Sequence, residues 1–83
     1  MPDAKDEAQA SLHNSGLQVG QKYKHFKGGE YEIMALAIKE DTLEPLVIYH
    51  SFAKEYVWAR TLQNFTENVE RDGQTHKRFT LIE

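Results

Sequence analysis

The sequence has no cysteine among its 83 residues, only two prolines, and a single tryptophan. Without cysteine there is no disulfide framework, the usual staple of small secreted domains, so a reducing compartment is permitted. No apolar run approaches the ~20 residues that span a bilayer. The opening MPDAKDEAQASL carries acidic groups and no hydrophobic segment, which is not the composition of a secretory signal. A soluble cytoplasmic protein with no membrane partner is the expectation. An excess of positive charge is missing too: ten basic residues face thirteen acidic ones, for a net charge of −3. Phosphate neutralisation needs clustered Lys and Arg, so the balance argues against a dedicated nucleic-acid binder. The imbalance is local, however. Asp3, Asp6 and Glu7 outnumber Lys5 in the first twenty residues, and the remainder is close to neutral.

Catalytic motifs are absent as well. There is no nucleophile elbow, phosphate loop or zinc-protease helix. The four histidines, His13, His25, His50 and His76, are widely spaced, without an i, i+4 pair. A zinc site from His25, His50 and a carboxylate is the one conceivable arrangement, and its ligand spacing is unlike that of known zinc sites. No metal and no cofactor are expected.

What remains is a strand-rich pattern preceded by a tail. Residues 1–16 contain helix formers, but Leu12 is their only large apolar side chain, and NSG at 14–16 stops any helix. They read as a flexible or partly helical tail, with residues 17–83 forming one domain. QKYKHF (21–26) is the first strand, with Tyr23 and His25 on one side. Gly28-Gly29 is a turn. EYEIMALAIKE (30–40) is apolar on both faces, as a long bending strand requires. LVIYHSF (46–52) is the clearest strand, rich in β-branched and aromatic residues. AKE (53–55) connects it to YVWARTL (56–62), after which Thr61 caps a helical turn holding Leu62 and Phe65. The last hairpin contains Asp72-Gly73. A three-residue loop, Arg71-Asp72-Gly73, puts Val69 on one face with Phe79 and Leu81, whereas a two-residue loop splits them; the three-residue loop is therefore expected. The sum is mostly β: a small SH3-like barrel of about five strands with one short helical turn.

The segments YKHFKGGEYEI, ALAIKEDTLEPLVIYH, VWARTLQNF and VERDGQTHKRF together resemble a small bacterial family called domain of unknown function sixteen-fifty-three. Its pattern runs Tyr-x-His-Phe-Lys-Gly, then Tyr-Glu-Val, then Glu-Thr-x-Glu-x-Leu-Val-x-Tyr, then Trp-x-Arg-Pro, a Phe, and Val-x-x-Asp-Gly ending in Arg-Phe. Tyr23, His25, Phe26, Lys27 and Gly28 match the first part, and Tyr31 and Glu32 the second. Thr42, Glu44, Leu46, Val47 and Tyr49 match the third. Trp58, Arg60 and Phe65 follow, and Val69, Asp72, Gly73, Arg78 and Phe79 complete the match. The likeness covers about residues 20–82. Thr61 stands where the family usually has Pro, Asp41 where it more often has Glu, and the segment between Phe52 and Trp58 lacks its frequent glycines. The resemblance implies a small, mostly β domain of cytoplasmic bacterial proteins and implies no activity.

Three functions remain open on the residues. The first is a non-catalytic binding module that docks a protein segment or a small anionic ligand on an aromatic and arginine face made by His25, Tyr49, Trp58, Arg60 and Arg78. Arginine forks suit carboxylate or phosphate, and aromatic faces suit bases or peptide side chains. The bland counterpart is that the aromatics fill the core, and that Arg60 and Arg78 pair Glu32, Glu44 or Glu67. The second is single-stranded nucleic-acid binding through Lys22, Lys24, Lys27, Arg60 and Arg78. Lysines alternating with aromatics also protect an edge strand from aggregation, which is the reading preferred for KYKHFKGG. The third is an enzyme with a shallow site, whose sign would be a strongly perturbed His25.

Overall fold

A computed structural model describes residues 3–52 and 56–83. Helix α1 (Ala4–Asn14) comes first, followed by β1 (Lys22–His25), β2 (Glu30–Ile38), β3 (Pro45–Ser51) and β4 (Val57–Thr61). Helix α2 (Leu62–Thr66), β5 (Asn68–Arg71), β6 (Gln74–Lys77) and β7 (Phe79–Leu81) complete the chain. The architecture is mostly β, as expected. Five antiparallel strands form one sheet in the order β4-β3-β2-β1-β7, and β5-β6 form a separate ribbon. Among the described residues no ladder joins ribbon and sheet, so the small β fold, expected as a barrel of about five strands, has seven strands in two sheets. The connection assigned to 53–55 lies outside the described residues.

The two-faced pattern of β2 has a local cause. Ile33 pairs with Tyr49 and Ala35 with Ile48, so a bulge falls at Met34. One extra residue reverses the side-chain alternation beyond it. Tyr31 and Ile33 therefore share the inner face with Leu36, which lies opposite the fully buried Val47. Met34 is left exposed. Both apolar sets of the strand thus serve one core.

That core joins Tyr23, Ile33, Val47, Tyr49, Leu62, Phe65 and Phe79 with Leu12 and Leu17. Helix α2 closes one side by burying Leu62 and Phe65. As expected, Thr61 caps it, accepting from the Asn64 N–H at 3.1 Å. The N-terminal segment, expected to be flexible or partly helical, is helical from Ala4 to Asn14 and buries Ala8 and Leu12 against β2 and β3. Asp3 caps its start, accepting from the Asp6 N–H at 3.0 Å. Its single leucine suffices because the sheet supplies the partner surface that an isolated helix lacks.

Two expectations are corrected. The last hairpin has a two-residue loop: Arg71 pairs with Gln74 and Val69 with His76. Asp72 and Gly73 both take positive φ, 54° and 76°, the geometry of a hairpin turn whose twist suits the strands. The parity argument failed because Val69 and Phe79 do not belong to one ladder. The chain leaves the ribbon at Arg78, and Phe79 pairs with His25 of the main sheet. For the same reason β1 is not an edge. It lies between β2 and β7, and the exposed edges of the sheet are β4 and β7. Gly28 does serve the β1–β2 turn at φ 108°, and a Cβ on Gly29 would stand 3.0 Å from the Tyr31 ring.

Candidate functional site

Strand parity brings four of the five candidate side chains to one place. Tyr49 is directly opposite Trp58, and Val47 opposite Arg60, so Trp58 and Arg60 share the inner face of β3 and β4. His25 pairs with Phe79 across β1 and β7. His25, Tyr31, Tyr49, Trp58, Arg60 and Phe79 line a hollow of about 170 Å³. Tyr49 and Phe79 are buried, while Trp58 is 49% exposed. The rings pack edge to face: Tyr31–Tyr49 at 5.3 Å, Tyr49–Phe79 at 5.4 Å and His25–Phe79 at 5.0 Å. Such crossings place ring edges against ring faces and fix the wall geometry.

The two arginines part company. Arg78 takes the bland role: its Nη2 donates to Glu67 Oε1 at 2.6 Å, and it does not line the hollow. Arg60 pairs with no carboxylate among the described residues. Its Nε donates to the Tyr49 hydroxyl at 2.9 Å and its Nη1 to Asn64 Oδ1. Its guanidinium lies 5.8 Å from the Phe79 ring centre. Neutral groups orient this charge without neutralising it, and among the described residues its Nη2 has no acceptor. A cation held this way is prepared to receive an anion.

The electrostatics agree. Burial raises the Tyr49 hydroxyl above its ordinary value, partly countered by the bond from Arg60, so the group is neutral near pH 7. Burial also lowers His25, with repulsion from Arg60, Arg78 and Lys27 adding to it. The Lys27 N–H donates to His25 Nδ1 at 3.1 Å, which places the proton of the neutral ring on Nε2. Because the fold favours neutral imidazole, His25 contributes stability in full above its unfolded value near 6.5. That contribution is lost as pH falls from there through the folded value. The stability advantage of the parent over a His25→Gln variant is therefore expected to shrink between about pH 7.5 and about pH 5.5, read from urea midpoints. A difference that stays constant with pH would contradict this account of His25.

Other candidates separate. Lys22 pairs with Glu83 at 3.1 Å. Lys22 and Lys24 alternate with Tyr23 and His25, so they occupy the face of the sheet opposite to Arg60. The cations of the nucleic-acid reading thus do not form one surface. His50 Nε2 lies 3.0 Å from Glu32 Oε1, and no group of three potential metal ligands exists among the described residues. The sequence reading missed Tyr31 and Phe79 as walls of the hollow and Asn64 as a partner of Arg60. Asn64 had a signal, four residues after Arg60 at the start of a helical turn. Phe79 had none, because its pairing with His25 spans most of the chain.

A family model described as protein of unknown function (DUF1653) matches residues 21–81. The chain belongs to the DUF1653 family. The crystal structure of a DUF1653 protein from Bordetella bronchiseptica is similar to it at 25% identity and a TM-score of 0.71. The match covers 82% of this chain and 90% of that one. No curated protein matches. The matched span contains every residue of the hollow and leaves out helix α1. Among the described residues no helix is long and apolar enough to cross a membrane.

Proposed function

We propose that this DUF1653 domain is a non-catalytic binding module whose aromatic and arginine face docks an extended protein segment, with Arg60 receiving a carboxylate of that segment. The observation that carries this reading is Arg60 itself, oriented by Tyr49 and Asn64 and without a carboxylate partner among the described residues. The place of the site favours a protein segment over a free small anion. The hollow of about 170 Å³ takes one side chain, and it shares Tyr49, Trp58 and Arg60 with a second depression of about 370 Å³ that Thr61 and Asn64 help to line. Both adjoin the sheet edge β4, where Val57 and Trp58 are exposed. An added strand could pair its backbone there and place alternate side chains on the inner face.

A set of extended peptides with and without a central Asp or Glu, titrated into isotope-labelled protein, tests the reading. The acidic peptides are expected to shift the amides of Val57–Thr61. Arg60→Gln is expected to weaken them about tenfold, the worth of one charged hydrogen bond. Unchanged affinity in Arg60→Gln, or shifts confined elsewhere, would overturn it. Acetate reproducing the peptide shifts at equal concentration would favour the small anionic ligand instead.

A further inference from the structure

A second hollow, of about 320 Å³, lies where β1, β6 and β7 meet, and its side chains differ in kind from the first. Lys24, Phe26, His76, Lys77 and Thr80 are among its lining residues, and no carboxylate is. The Phe26 ring stacks on the His76 ring, with centroids 6.3 Å apart and planes 15° from parallel. Lys27 and Arg71 place their cationic groups 5.8 and 6.0 Å from the same Phe26 ring. Among the described residues, none of Lys24, Lys27, Arg71 and Lys77 forms an ion pair. The nearest acidic groups are Glu30, opposite Lys24, then Glu70 and Asp72 on either side of Arg71, and Glu83, next to the lining residue Ile82 and paired with Lys22. In a chain of net charge −3, two cations lining the groove and two more over its Phe26 ring form a local concentration of positive charge.

We infer that this groove binds a nucleotide unit, its base stacked with Phe26 and His76 and its phosphate held by Lys24 and Lys77. Lysine is a point-charge partner for phosphate, and an aromatic face accepts any base. The volume is in the range of sites that take a small ligand. The cation set is also not the one expected from sequence: Lys22 and Arg78 are spent on Glu83 and Glu67, and Arg71 and Lys77 replace them. These cations come from opposite ends of the chain, and only the β1–β7 pairing brings them to one groove.

The same nucleotide chemistry can come from a free mononucleotide or from a single strand, and the experiment separates them. Uridine monophosphate, an oligouridylate of about eight nucleotides and inorganic phosphate are titrated separately into labelled protein, at about 50 and about 200 mM salt. Both nucleotide probes are expected to shift the amides of Lys24, Phe26, His76 and Lys77, and inorganic phosphate much less. The exposed double variant Lys24→Gln/Lys77→Gln should bind at least about tenfold more weakly and lower the logarithmic salt slope by about one, the share of the single phosphate they hold. Phe26→Leu should weaken uridine monophosphate about tenfold with its shifts at Lys24 retained. Oligouridylate binding more than about tenfold tighter than the mononucleotide identifies a strand as the source; equal affinities identify the free nucleotide. Absence of shifts at these four residues overturns the inference, as does inorganic phosphate matching the mononucleotide. Arg60→Gln leaves nucleotide binding intact, so failure here is distinct from failure of the peptide site.

Discussion

Phe65→Ala is expected to remove a large part of the domain's stability. Phe65 is 2% exposed and stands at the centre of the aromatic core. Its ring stacks on Phe79 at 4.2 Å with planes 9° apart, and meets the edges of Tyr23 at 5.3 Å and Tyr49 at 5.6 Å. Truncating a buried Phe to Ala removes its transfer energy and leaves a cavity, together about 3–5 kcal/mol. A domain of this length has roughly 4–12 kcal/mol of total stability to lose. The cavity collapses poorly, because the Tyr23, Tyr49 and Phe79 rings against it are already held in edge or stacked contact. Phe65→Leu keeps most of the volume and should cost under about 1.5 kcal/mol. Urea unfolding followed by Trp58 fluorescence measures both. A Phe65→Ala variant within about 1 kcal/mol of the parent would mean that α2 does not hold the core closed. The same substitution reaches the Arg60 hollow: Phe79 and Tyr49 line it and rest on Phe65.

The legible parts of this fold were those carried by near neighbours in the chain. The strands from Lys22 to Thr61, the turn at Gly28, and the Thr61 cap follow from alternation, positive φ and hydroxyl capping. Tyr49, Trp58 and Arg60 could be placed on one face because β3 and β4 are adjacent and side-chain parity carries across the pair. Less legible were the features decided by distant pairings. The bulge at Met34 is set by where β3 lands on β2, and only with it does a two-faced strand become one-faced. The hairpin loop was misjudged because hydrophobic parity presumes a single ladder. Nothing local to Arg78 shows that β7 belongs to another sheet. That same pairing removed β1 from the sheet edge, brought Phe79 to His25 and assembled the basic groove. Helix α1 was undervalued because one leucine is weak when counted alone. Against β2 and β3 it extends the core.

Glu67→Ala is expected to destabilise the domain by about 2 kcal/mol, and Arg78→Met on top of it to recover much of that loss. Arg78 sits at the point where the chain passes from ribbon to sheet. Its carbonyl accepts from the Phe26 N–H at 3.0 Å, and its own N–H donates to the Glu67 carbonyl at 3.2 Å. The side chain is only 19% exposed. It reaches Glu67 through Nη2 alone, and its buried Nε has no acceptor among the described residues. This is a single-pronged bond, not the two-pronged fork that makes arginine pairs strong. Glu67 also accepts from Asn64 Nδ2 at 3.2 Å, and Asn64 in turn accepts from Arg60. Removing the carboxylate therefore strands a guanidinium that solvent reaches poorly, and frees the amide that orients Arg60. Replacing both charges with apolar groups removes the stranded cation, which is why the double variant is expected to be more stable than Glu67→Ala alone. A double-mutant cycle in urea measures the coupling. If Glu67→Ala and Arg78→Met instead destabilise additively, the pair is a surface ornament and the strand switch at Arg78 rests on its backbone bonds. Coupling above about 1 kcal/mol means that the side-chain pair, and not the backbone bonds alone, holds the strand switch at Arg78.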